Sequence, residues 1–185
     1  TQIAYTYNAL PTVDAPLEKT QKNHIMLGTL SRLDKVRNLA DTLQVFKMLD
    51  DKHLPVRLQI AGIGEETDNL KALAQQLGIA EKVSFLGGVR DLSSYFQSTD
   101  ILLNTPNVAG DHGAGVGNNI LEAGLYSTPV VSYDAAGISE MVINGQTGYC
   151  TPLRDLPAFS AAVETLVNDA DLRRRYGDAL NRHVT

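Results

Sequence analysis

Six short apolar runs alternate with segments whose apolar residues recur at helical spacing, and few architectures accommodate that alternation. The runs His24–Leu30, Val56–Ala61, Lys82–Leu86, Asp100–Leu103, Pro129–Val131 and the stretch around Tyr149-Cys150 predict strands. Between and after them, Leu39, Leu43, Phe46 and Leu49 form one helical stripe, and Leu70, Leu73, Ala74 and Leu77 a second. Shorter stripes follow at Leu92, Tyr95 and Phe96, at Phe159, Ala162, Val163 and Leu166, and at Leu172, Tyr176 and Leu180. Strands that are apolar throughout are buried on both faces, which requires helices on both sides of the sheet. Strand–helix–strand units connect parallel neighbours. The chain is therefore expected to be α/β, with a doubly wound parallel sheet of about six strands.

Composition narrows the function classes. With 185 residues, 43% of them hydrophobic, the chain can bury a substantial core. The net charge of −5 argues against general nucleic-acid binding. Cys150 stands alone, so it forms no internal disulfide; it reads as core filler and fits a reducing, cytoplasmic compartment. No apolar run approaches membrane-spanning length and no signal-peptide pattern opens the sequence. Peripheral attachment at the inner face of a membrane, through a segment outside this sequence, stays open.

Chemistry concentrates in two stretches. The first is Gly115 to Ser132, read as a glycine-rich loop, a short helix and a buried strand. Gly115 and Gly117 allow close backbone approach to a ligand. Asn118 or Asn119 can cap the helix, whose first N–H groups, from Val116 to Asn119, make an anion site. Glu122 lies one turn further and can face the same opening. The second stretch is Ser31 to Asn38, between a strand end and a helix start, where Arg32, Lys35 and Arg37 crowd three cations into an acidic chain. Ligands of open α/β sheets gather at strand carboxyl ends, and guanidinium groups bind phosphate oxygens in pairs. Gly62-Ile63-Gly64 lacks the full dinucleotide fingerprint and is flanked by Glu65 and Glu66, so it reads as a structural turn shaping the floor of a pocket. No metal-ligand cluster is visible.

These motifs resemble the C-terminal half of retaining glycosyltransferases of the GT-B fold, glycosyltransferase family 4. Gly115-Val116-Gly117, Leu121-Glu122-Ala123, Pro129-Val130-Val131, Gly137-Ile138-Ser139-Glu140 and Gly145-Gln146-Thr147-Gly148 stand in the family's order. Arg32 matches the family's diphosphate-binding Arg, and Arg37 stands where its Lys usually does. One departure concerns the family's pair of glutamates eight positions apart: eight before Glu122 stands Ala114. In the longer loop before it, Asp111 substitutes for that glutamate, or the loop alters sugar or acceptor preference, or transfer is impaired; the sequence leaves all three open.

The resemblance implies a Rossmann-like domain, one half of a GT-B fold, spanning 23–185. Residues 1–22 are then an interdomain strand and linker, with the acceptor domain absent. It implies transfer of a sugar from a UDP- or GDP-sugar to a glycan, lipid or protein, with no cofactor beyond the donor, in polysaccharide or glycoconjugate synthesis. Arg32 and Arg37 would neutralise the diphosphate, Val89 would lie against the nucleobase, and Glu122 would accept from ribose hydroxyls. The alternatives are a non-catalytic nucleotide- or partner-binding subunit, and a dinucleotide-dependent oxidoreductase domain, against which the incomplete glycine fingerprint counts.

Overall fold

A computed structural model describes Lys19 and residues 22–107, 117–135 and 137–185. Six strands form one sheet: β1 (Ile25–Leu30), β2 (Val56–Ala61), β3 (Val83–Gly87), β4 (Ile101–Asn104), β5 (Val130–Tyr133) and β6 (Gly148–Thr151). Their order is β3-β2-β1-β4-β5-β6, and every neighbouring pair is parallel. The α/β, Rossmann-like class expected from the alternation is what forms. The helices are α1 (Leu39–Asp51), α2 (Thr67–Gln76), α3 (Leu92–Ser98), α4 (Asn118–Leu125), α5 (Leu156–Asn168) and α6 (Ala170–Val184). Among the described residues, no helix is long and apolar enough to cross a membrane.

The pleat sorts each strand's side chains onto two cores. Leu27, Leu58, Ile60, Ile101, Leu103, Val131 and Tyr133 face α1, α2 and α5, and all are buried. Their sequence neighbours Leu102 and Val130 face the other way, into a second core with α3, α4 and α6. This is why β4 and β5 carry continuous apolar runs. On the second face Gly28 is required by contact: a Cβ there would lie 2.5 Å from Tyr95 Oη and 2.7 Å from Thr99 Cγ2. The missing side chain lets α3 approach β1, where the Tyr95 hydroxyl donates to the Thr29 carbonyl at 2.8 Å.

Most helix signals hold. Asp91 and Asp155 accept from Ser94 N and Ala158 N, capping α3 and α5. Gly78, with φ of +69°, closes α2. One expectation needs correction. The N-cap of α4 is Gly117, with no side-chain cap, so neither Asn118 nor Asn119 caps it. Asp169 caps α6 by accepting from Leu172 N. Arg173 donates to the Leu166 and Val167 carbonyls at 2.6 and 2.9 Å and so closes the end of α5.

Candidate functional site

The chain runs outward from β1 through β2 to β3, then crosses back to place β4 on β1's other side. Such a reversal opens a crevice at the strands' carboxyl ends, because the flanking loops leave in opposite directions. A cavity of about 500 Å³ lies there, lined by the exits of β1, β2 and β3 and by the start of α4. That is within the size range of small-molecule sites.

The basic loop forms one wall, and the turn after β2 holds it in place. Ser31 N donates to Ala61 O at 3.1 Å, Leu33 N to Ile63 O at 3.0 Å, and Glu66 N to Leu33 O at 3.0 Å. These contacts demand glycine at both ends of Gly62-Ile63-Gly64. A Cβ on Gly62 would lie 1.8 Å from Ser31 O, and one on Gly64 2.2 Å from Leu33 O. The reading of this turn as structural is borne out, with Gly62 and Ile63 lining the cavity. On its other flank the loop is tied to the segment after β4. Thr105 Oγ1 donates to Asn38 O at 3.1 Å, and Asn107 N to Val36 O at 2.8 Å.

The two arginines reach different environments on this fixed loop. Arg32 is 75% exposed and pairs with Asp34 at 3.2 Å. Arg37 also lines the cavity, but its Nε is buried and, among the described residues, has no hydrogen-bond partner. A buried guanidinium N–H without an acceptor carries the full cost of its lost hydration, which a ligand oxygen would remove. Its backbone N–H is held by Asp34 Oδ1 at 3.0 Å, so the side chain starts from a fixed point.

The facing wall is α4. Gly117, Asn118, Asn119 and Glu122 all line the cavity, as the helical spacing of 119 and 122 requires. Glu122 is half-buried, and burial pushes its carboxyl above the usual carboxylate range. Among the described residues none hydrogen-bonds or ion-pairs with it. Val89 lines the cavity beside Gly88, as expected of the loop after β3. Arg90, given no role from sequence, joins them; its position next to a Gly-Gly turn at a strand's carboxyl end was the available signal. Gly115 and Val116, with Asp111 and Ala114, lie outside the described residues. The lining thus carries three arginines and one glutamate, a wall suited to an anion facing a single carboxyl group. Among the described residues no three His, Cys, Asp or Glu side chains converge as for a metal ion. Cys150 is away from this site; its Sγ donates to Val142 O at 3.2 Å, and burial pushes the thiol up to about 12.

Comparison with known proteins gives a consistent answer. The chain is 27% identical over 161 residues to the capsular polysaccharide biosynthesis glycosyltransferase CapM of Staphylococcus aureus, covering 86% of this chain and 41% of that protein. It therefore spans about two fifths of that relative's length. It superposes on Anabaena HepE in complex with UDP with a TM-score of 0.78 at 22% identity, covering 88% of this chain and 44% of that one. The C-terminal domain of the Francisella tularensis glycosyl transferase group 1 protein LpcC gives a TM-score of 0.75 at 18% identity, covering 91% of this chain and 86% of that one. At these identities the structural likeness establishes the GT-B-type fold alone. Residues 14–182 match the family model described as glycosyl transferases group 1, and the chain belongs to that family.

Proposed function

We propose that this chain is the donor-binding, C-terminal half of a retaining glycosyltransferase of family 4, which takes the nucleotide of a UDP- or GDP-sugar in the carboxyl-end cavity. The observation that carries the reading is the buried Nε of Arg37, which has no partner among the described residues, in a cavity whose opposite wall presents the Glu122 carboxyl, likewise without one among them. Arg37 and Arg32 hold the diphosphate and stabilise the charge that develops as it departs, a task for cations fixed before the reaction. Backbone N–H groups of Gly117, Asn118 and Asn119, at the start of α4, add donors to the phosphates. Glu122, an acceptor without a proton to give once ionised, takes two hydroxyl hydrogens from the ribose. The base lies against Val89, with Gly88 leaving the backbone open. The UDP held by HepE, a protein of the same fold, agrees with this choice of ligand.

In this reading 23–185 is the donor domain and 1–22 the crossing from an acceptor-binding domain, where a glycan, lipid or protein receives the sugar. The donor is the only small molecule required, because the arginines supply the charge balance. The full protein acts in the cytoplasm, including at the inner membrane face, and the isolated chain does not transfer sugar. A second reading, a non-catalytic nucleotide-binding subunit, draws on Ala114 at the position of the family's first glutamate. Transfer by the full-length protein separates the two.

A thermal-shift panel of UDP, GDP, ADP and NAD tests the site, since a ligand that binds only the folded state raises its stability by mass action. UDP or GDP is expected to raise the melting temperature most. A shift with NAD alone would return the domain to dinucleotide chemistry.

A further inference from the structure

Three consecutive carbonyls around Arg37 are held from outside the cavity. Asn107 N donates to Val36 O at 2.8 Å, and the Thr105 hydroxyl is shared between Arg37 O at 3.3 Å and Asn38 O at 3.1 Å. These donors come from one short segment, directly after β4. Thr105 is itself buried, with its oxygen 2.9 Å from that of Thr42 on α1. The backbone on both sides of the Arg37 side chain is thereby fixed. Asn38 takes a left-handed φ of +48° there, a conformation that a residue with a side chain keeps only where its surroundings impose it.

The gripping segment has its own anchor, further along the sheet. Arg154, in the turn after β6, donates from Nε to Asn107 Oδ1 at 2.8 Å, and from Nη2 to the same oxygen. Because β6 is the edge strand, two places from β4, this contact reaches past the end of β5. A guanidinium carries only donors, so it also fixes which atom of the Asn107 amide faces it. Arg154 has a φ of +59°. Glycine adopts that backbone freely, whereas a Cβ is strained in it. Local preference favours glycine at this position, and the guanidinium on Asn107 is what glycine would not supply.

We propose that Arg154 is a positioning residue, which acts through Asn107 to hold the basic loop in the form that binds a diphosphate. This rests on the proposed function and names a residue outside the cavity that sets its affinity. Arg154 does not line the cavity. With the Asn107 side chain released, the segment after β4 grips the loop less firmly, and the Arg37 side chain spends part of its time out of place. Affinity then falls in proportion to the fraction of molecules that remain competent. A nucleoside brings no phosphate to this wall, so its affinity does not depend on the clamp.

Calorimetry of the preferred nucleoside diphosphate and of its nucleoside, at one fixed salt concentration, tests this on the parent, Arg154→Gly and Asn107→Ala. Arg154→Gly is expected to weaken the diphosphate about fivefold and the nucleoside by less than about twofold. Its denaturation midpoint is expected to hold, since glycine relieves the left-handed backbone. Asn107→Ala keeps the charge of Arg154 and is expected to show the same selective loss. The two losses should not add, and Arg154→Gly should have almost no effect in an Arg37→Ala background. Unchanged diphosphate affinity, or an equal loss on the nucleoside, overturns the inference while the proposed function stands. So does a loss in Arg154→Gly that Asn107→Ala does not share, because the arginine would then act through its charge alone. A parent that binds no diphosphate removes both. If Asn107→Ala does not fold, the Arg37→Ala background decides: an undiminished effect of Arg154→Gly there overturns the inference.

Discussion

Lys19 and Arg37 are both cations drawn into the molecule, at opposite ends of one sheet, and their surroundings differ in one decisive respect. At the amino ends, Lys19 Nζ donates to Phe96 O, Thr99 O and Thr128 Oγ1 at 2.8, 2.7 and 2.7 Å. Two of these are carbonyls at the end of α3, where a helix favours positive charge. Beside it, Lys22 donates to Ser98 O and lies 3.8 Å from Asp100, whose carboxylate also accepts from Met26 N at 2.7 Å. Both ammonium groups there have acceptors, although the neighbouring His24 Nε2 is buried with no partner among the described residues. At the carboxyl ends, Arg37 Nε has none among the described residues. A satisfied buried cation holds the structure together, whereas an unsatisfied one in a cavity is prepared for something that arrives later.

The contrast breaks first at Lys19. Lys19→Met removes one donor from each of three acceptors and is expected to cost about 3 kcal/mol of stability, read from denaturant midpoints, with diphosphate affinity unchanged. A loss of affinity with stability intact would exchange the roles assigned to the two ends.

Next comes Glu122. Glu122→Ala should weaken the ribonucleotide by about 1.5–3 kcal/mol, and removing the ribose hydroxyls should cost the parent a similar amount. In a double-mutant cycle the two losses should not add, because each deletes the same contact. Full additivity would take Glu122 off the ribose.

The titration of Lys19 sharpens the comparison. Burial lowers its pKa from 10.5 to about 8, although three acceptors surround it. Between those values the unfolded chain binds more protons than the folded one, so stability rises with pH. The cost of Lys19→Met should therefore grow by on the order of 1–2 kcal/mol between pH 7.5 and 10.5, since the variant lacks this titration. A cost that shrinks over that range would mean that the ammonium is favoured by its acceptors over its burial.

The smallest effect is expected at Arg32. Its guanidinium is largely exposed and already paired with Asp34, so Arg32→Ala should weaken diphosphate binding only about threefold. A loss equal to that at Arg37 would show that the ligand buries Arg32.

What could be read in the sequence follows from the range of the interactions. The runs Ile101–Leu103 and Val130–Val131 announce themselves because burial on both faces leaves no room for polar residues. Asp91 and Asp155 are legible as caps because their partners stand three residues away. The basic loop and α4 meet at the cavity as expected, since strand carboxyl ends converge in this topology. Lys19 was hidden in a polar connection, and its three acceptors stand 77 to 109 residues further along the chain. Asn119 reads as a possible cap for the same reason. A local rule offers its side chain to the helix end, while Asn104, fifteen residues earlier, takes it instead.

The direct test of the central claim is calorimetry of UDP and uridine, or of GDP and guanosine, on the parent chain and on Arg37→Ala at one fixed salt concentration. The arginine is expected to contribute about 10- to 100-fold to diphosphate affinity and almost nothing to nucleoside affinity, with stability unchanged because its Nε has no partner to lose. Equal diphosphate affinity in the variant and the parent would contradict the account, leaving Arg37 a solvated turn residue and the cavity without its anion site.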